Sequence, residues 1–126
     1  MRRRNTITND LRDELSKALQ AGRLSDALAL YELIEKRKRD EPRWPHRKAD
    51  LLHRMGLDDD AVAAYERAID LYAAKGFLDC AMATAKVMLS IDPTRIAVLH
   101  RLEDEAVSAM RHPIFVMTHA GVDDRR

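Results

Sequence analysis

The sequence predicts an all-α chain of about five to six antiparallel helices, and three observations carry that expectation. Ala, Leu, Arg, Asp and Glu dominate, while glycine and proline number four each, a composition that favours helix over strand. Small and aromatic residues recur at helical spacing, as at Ala61, Tyr65, Ala68, Ile69 and Tyr72, which puts them on one face of a 3.6-residue helix. Gly22, Gly56 and Gly76 punctuate such stretches, each where a helix can close on a left-handed residue.

At 126 residues the chain suits one small domain with a modest core, too short for an elaborate catalytic pocket. We expect a basic arm over residues 1–7, a helical domain over 8–112 and a tail or start of a linker over 113–126. No apolar run approaches the roughly 20 residues that span a bilayer, and Met1 to Asn5 leads into polar residues instead of an apolar signal region. Cys80 is the sole cysteine, which precludes an intramolecular disulfide and suits a reducing compartment. No membrane contact and a cytoplasmic location are therefore expected. The net charge of +1 hides an asymmetry: residues 1–56 hold 14 Lys/Arg against 9 Asp/Glu, and the remainder 8 against 12. Such a dipole can orient a charged partner or favour head-to-tail contact between copies.

The first helix has a cap among Thr8, Asn9 and Asp10, buries Leu11, Leu15, Ala18 and Leu19, and ends at Gly22. A second opens near Ser25-Asp26 with Ala27, Leu28, Leu30, Tyr31 and Ile34 inward, then runs as charged residues into water until Pro42 stops it. Trp44-Pro45 opens the third, with Pro45 at the first helical position, Trp44 as a hydrophobic staple, and Ala49, Leu52 and Met55 inside. The fourth covers residues 59–75. Asp58, Asp59 and Asp60 stand where carboxylates accept from free N–H groups and complement the helix dipole, and Gly76 closes it. The fifth, Leu78 to Leu89, buries Leu78, Ala81, Ala85, Met88 and Leu89. Asp92-Pro93 caps a sixth, through Ile96, Leu99, Leu102 and Ala106, which His112-Pro113 stops. Beyond it, Ile114 to Met117 is apolar and extended in propensity, able to cap the last helix or to begin a further segment.

A repeat underlies these elements. Gly22-x4-Ala27-x3-Tyr31 recurs as Gly56-x4-Ala61-x3-Tyr65, a displacement of 34 residues. With that period the chain resembles the tetratricopeptide repeat (TPR) family over roughly residues 8–106. The unit from Val62 to Arg95 sets Tyr65 at the family's Trp position, Ala68 and Ile69 at its Leu-Gly and Tyr72 at its Tyr. Ala81, Ala85, Met88 and Pro93 then fill the later Ala, Phe, Ala and Pro positions. Leu11, Leu15, Ala18, Gly22, Ala27, Tyr31 and Ile34 match similarly in the first unit, whose proline comes late, at Pro42. The resemblance implies an α-α solenoid that binds protein or peptide. One departure stands out: Gly76-x4-Ala81 follows Gly56 by only 20 residues, one helix short of a period. The helix of residues 59–75 is then expected to be second in one unit and first in the next, buried on more than one side, with Tyr65 and Tyr72 facing different neighbours.

In the TPR family the first helix of each unit lines the concave surface, so the resemblance implies a binding face on the first and third helices. That face holds Asn9, Arg12, Ser16 and Gln20, then Arg43, His46, Arg47, Asp50, His53 and Arg54. The expected partner-binding residues are Arg12, Gln20, Arg43, His46, Arg47, Asp50, His53 and Arg54, a mostly cationic strip suited to an acidic peptide. Ser16 stands where the family's chaperone-tail clamp has Asn, so that activity is not implied. His46, Asp50 and His53 share a helical face, but Arg47, Lys48 and Arg54 raise the local positive potential against a metal cation. The run Glu35 to Arg39 with Arg2, Arg3 and Arg4 could touch phosphate backbones, yet acidic neighbours interrupt it and a solvated helix end is the simpler account, so nucleic acid is not the expected partner. Cys80 has no sequence signal of a nucleophile and reads as a structural thiol. No phosphate loop, catalytic carboxylate pair or nucleophile elbow is present, and neither catalysis nor a cofactor is expected. The expected role is an adaptor or scaffold in a cytoplasmic, bacterial assembly, with a sequence-independent nucleic-acid module or a homo-oligomer as alternatives.

Overall fold

The computed structural model describes residues 2–111, and side chains from Asn9 to Met110. Six helices follow one another: α1 (Arg2–Gln20), α2 (Leu24–Arg37), α3 (Arg43–Arg54), α4 (Asp58–Ala74), α5 (Leu78–Ile91) and, after a 3₁₀ turn at Pro93–Arg95, α6 (Ile96–Arg111). The extensive packing is between consecutive helices, from α1 on α2 to α5 on α6. Short turns make those neighbours antiparallel. The result is an all-α solenoid. Ion pairs join alternate helices: the half-buried Glu35 of α2 to Arg67 of α4 at 3.4 Å, and the exposed Asp70 of α4 to Arg101 of α6 at 3.2 Å. No described helix is long and apolar enough to cross a membrane.

One turn is used three times. At Gly56 the backbone takes φ +79°, a region where a Cβ is strained and glycine is not. Its N–H then bonds His53 O at 3.0 Å and the next N–H, of Leu57, bonds Leu52 O at 2.9 Å, the pair of bonds that satisfies the last carbonyls of a helix. Leu57 in turn accepts from Ala61 at 2.9 Å and so starts α4. Gly22 with Ala27, and Gly76 with Ala81, repeat this arrangement. Ala27, Ala61 and Ala81 are fully buried, because the turn presses each new helix against the one before it and leaves room only for a methyl group.

Several boundaries differ from expectation. Helix α1 opens at Arg2, ahead of the cap sought among Thr8, Asn9 and Asp10. Helix α2 ends at Arg37, well before Pro42, and Pro42 instead stands as the N-cap of α3, which leaves Pro45 third in that helix. A proline is tolerated there because first-turn N–H groups have no intrahelical acceptor. The aspartates of α4 make no side-chain cap bond; Asp58 is turned to His53, and the triplet acts on the helix dipole alone. Asp92 does cap as expected, accepting from Thr94 N at 3.1 Å and Thr94 Oγ1 at 2.6 Å. Those bonds lower its pKa. His112, Pro113 and the apolar stretch Ile114 to Met117 lie outside the described residues.

The core is in two parts. Leu15, Ala18, Ala27, Tyr31, Ile34, Trp44 and Leu51 form one, shared by α1, α2 and α3. Ala49, Leu52, Ala61, Val62, Ala64, Tyr65, Ile69, Ala81, Ala85, Met88, Val98 and Leu102 form the other, over α3 to α6. Helix α3 therefore faces both. Helix α4 packs on α3 and α5, with Ala61/Val62, Ala64/Tyr65 and Ala68/Ile69 buried as adjacent pairs, wider than a single stripe. The expected divergence of its tyrosines is not found. Tyr65 and Tyr72 both reach His46 of α3, since a spacing of seven residues is nearly two full turns and returns to the same face.

Candidate functional site

Helices α1 and α3 lie side by side across the first core, and the residues between them are cationic. Trp44, in the first turn of α3, is only 2% exposed. Its ring packs on Tyr31 with centroids 6.4 Å apart, and its indole N–H donates to Glu41 Oε1 at 3.2 Å. Three guanidinium groups gather on that indole: Arg12 at 5.2 Å from the ring centroid, Arg43 at 5.6 Å and Arg47 at 5.6 Å. Distances of this order give the attraction between a cation and the negative face of an aromatic ring. Arg43 is also held by Glu41, Nε to Oε1 at 3.2 Å. Arg12 and Arg47 have no carboxylate within ion-pair distance among the described residues, and the buried Nε of Arg12 has no acceptor there. These residues, with Leu15, Ser16, Leu19 and Tyr31, line a cleft of about 230 Å³.

The other expected residues do not join this cleft. His46 is half-buried between two tyrosine rings of α4, each 6.0 Å away and edge-on, with Nδ1 3.1 Å from the Tyr72 hydroxyl. Asp50 Oδ1 accepts from the Tyr65 hydroxyl at 2.5 Å. His53 meets Asp58 across the α3–α4 turn, Nδ1 to Oδ1 at 2.8 Å. Arg54 and Gln20 are exposed near the ends of their helices. His46, Asp50 and His53 thus have separate partners, and no cluster of three metal-type ligands occurs among the described residues. Burial raises the pKa of Tyr65 far above its ordinary value, with the bond to Asp50 and the carboxylate charge adding to it. Burial also raises Tyr31 and Tyr72, opposed in both by the positive charge of Arg47 and reinforced by Asp50; Cys80 adds to the rise at Tyr72.

Two features of the surface were not foreseen. Glu35, expected to project into water with its charge run, is half-buried and bonds Lys48 of α3 at 2.7 Å as well as Arg67 of α4. It is a clip across three helices. Cys80, read from the sequence as a structural thiol, is exposed and lines an apolar groove with Phe77, Leu78, Ala106, Ala109 and Met110.

No family model matches the chain, and no curated protein matches it. Among solved structures it is similar to the first TPR of Spaghetti (RPAP3) bound to HSP90 peptide SRMEEVD, at 16% identity, over 79% of this chain and 95% of that one, with a TM-score of 0.43. The bound peptide belongs to that domain and assigns nothing to this chain.

Proposed function

We propose that this chain is a protein-interaction module that takes an acidic segment of a partner protein in the cleft between α1 and α3. The observation that carries the reading is the gathering of Arg12, Arg43 and Arg47 on one buried indole, with only Arg43 neutralised at ion-pair distance among the described residues. Arginine forks match carboxylates in two parallel hydrogen bonds, and the apolar wall of Leu15, Leu19 and Tyr31 can take the hydrocarbon part of a bound segment. Glu41 and Trp44 hold the cluster in place before binding, which reduces the entropy lost when a partner docks. The excess of positive charge in residues 1–56 would steer an acidic partner to this end. The role extends to an adaptor in a cytoplasmic, bacterial assembly, without catalysis.

Fluorescence anisotropy with labelled peptides tests this. A glutamate-rich peptide should bind at least about tenfold more tightly than its glutamine counterpart, as expected for loss of one charge-assisted pair. Arg12→Glu with Arg47→Glu should abolish that binding and leave the circular dichroism spectrum unchanged. Equal affinity for the two peptides, or undiminished binding by the charge-reversed protein, overturns the reading.

A further inference from the structure

We propose that the anionic group this cleft is built to hold is a phosphate monoester, borne on a phosphorylated side chain of the partner. This rests on the acidic-segment reading above and narrows it. The argument begins with charge. Three guanidinium groups converge on Trp44, and the one carboxylate at ion-pair distance among the described residues, Glu41, is already bound to Arg43 and to the indole N–H. The next acidic group on α3, Asp50, keeps its charge while accepting from the neutral Tyr65 hydroxyl of α4, and it does not line the cleft. Arg12 and Arg47 therefore leave about two positive charges in one cleft of about 230 Å³, held there by cation–π attraction. A carboxylate brings one negative charge and two oxygens, which a single arginine fork saturates. A phosphate monoester brings about −1.5 to −2 charges at pH 7 and three terminal oxygens, enough to engage both forks at once.

The hydrogen-bond inventory points the same way. The buried Arg12 Nε has no acceptor among the described residues, so the guanidinium has no protein partner there that would compete with a bound anion for its charge. Ser16 supplies a hydroxyl on the same wall, beside the apolar Leu15, Leu19 and Tyr31. A compact focus of charge with an apolar margin fits one phosphate group next to an apolar residue. A nucleic-acid backbone calls instead for a cationic track along successive phosphates.

Trp44 is the only tryptophan and forms part of this cleft, so its fluorescence reports occupancy directly. The test titrates the full chain, at millimolar concentration if needed, with capped heptapeptides carrying phosphoserine, glutamate or serine between two leucines, and with oligouridine. The phosphoserine peptide should shift the Trp44 emission and bind at least about tenfold more tightly than the glutamate peptide, the equivalent of one further charge-assisted bond. Arg47→Gln should remove that preference, Arg47→Lys should restore only part of it because an ammonium lacks the fork, and Arg54→Gln, outside the cleft, should leave it intact. Equal affinity for phosphoserine and glutamate overturns the phosphate assignment while the acidic-segment reading stands. No response to either peptide overturns both. Tighter binding of oligouridine than of the phosphopeptide, abolished by Arg47→Gln, assigns the cleft to nucleic acid and overturns the proposal.

Discussion

The two cores differ in the size of what fills them and in the chemistry of the clefts beside them. The core over α3 to α6 takes five of its twelve residues from alanine, and the groove at its α5–α6 end is apolar, lined by Phe77, Leu78, Ala106, Ala109 and Met110. The core over α1 to α3 has two alanines but also Tyr31 and Trp44. That aromatic pair lines the cleft beside it, together with Arg12, Arg43 and Arg47. The aromatic core gives its cleft a cationic lining, and the alanine-rich core borders an apolar one.

The sharpest way to break this comparison is to empty each core in turn. Trp44→Ala and Ile69→Ala should each destabilise the chain, by about 3–5 and 2–5 kcal/mol respectively, as buried large-to-small changes do. Hydrogen exchange should show α1 and α2 losing protection first in the former, and α4 to α6 in the latter. Loss of protection over all helices at once in both variants would make the two cores a single cooperative unit. Next in size is Gly56→Ala. A Cβ there meets nothing within 4 Å, so the cost is the left-handed φ alone, about 1–2 kcal/mol in a denaturant melt. A cost near zero would show that the turn relaxes to negative φ.

Alkaline titration separates the cores by their tyrosines. Tyr31 of the first and Tyr65 and Tyr72 of the second all have folded pKa values raised above the ordinary 10.0, chiefly by burial. A raised folded value stabilises the fold fully below pH 10, where the phenols are neutral in both states. That stability is lost as pH rises and the unfolded chain ionises first. Tyr65→Phe should flatten the decline more than Tyr31→Phe, because Tyr65 has the larger rise; the reverse order would place the stronger coupling in the first core. The smallest effect belongs to the Glu35 clip. Lys48→Met removes one arm of a half-buried pair and should cost about 1 kcal/mol, discounted for partial exposure and for the second arm at Arg67.

Much of this fold was legible because the glycine turns are local. Gly-x4-Ala specifies a left-handed closure and a small residue at the next contact, and each place where it occurs, at Gly22, Gly56 and Gly76, carries the same hydrogen bonds. Prolines were less informative: Pro42 disfavours helix before it and suits the start of one after it, so it bounds α2 from beyond without marking the stop at Arg37. The candidate site was half legible. Periodicity put Arg43 and Arg47 on one face of α3, but their meeting with Arg12 depends on α1 lying alongside. Trp44 could be read as a staple, and not as the floor on which three arginines rest. The same holds for His46, whose cationic neighbours in sequence suggested an exposed contact while its neighbours in space are Tyr65 and Tyr72.

The identical turns at Gly22, Gly56 and Gly76 set what lengths of chain can be removed without scrambling the fold. Gly56 follows Gly22 by 34 residues and two helices, so excising residues 23–56 would join α1 to α4, which run in opposite directions as a short turn demands. Gly76 follows Gly56 by 20 residues and one helix, so excising residues 57–76 would ask the same turn to join α3 to α5, which run parallel. The first deletion preserves the direction of travel and the second inverts it: the array grows and shrinks in even numbers of helices, although its turn motif is also used once after an odd step.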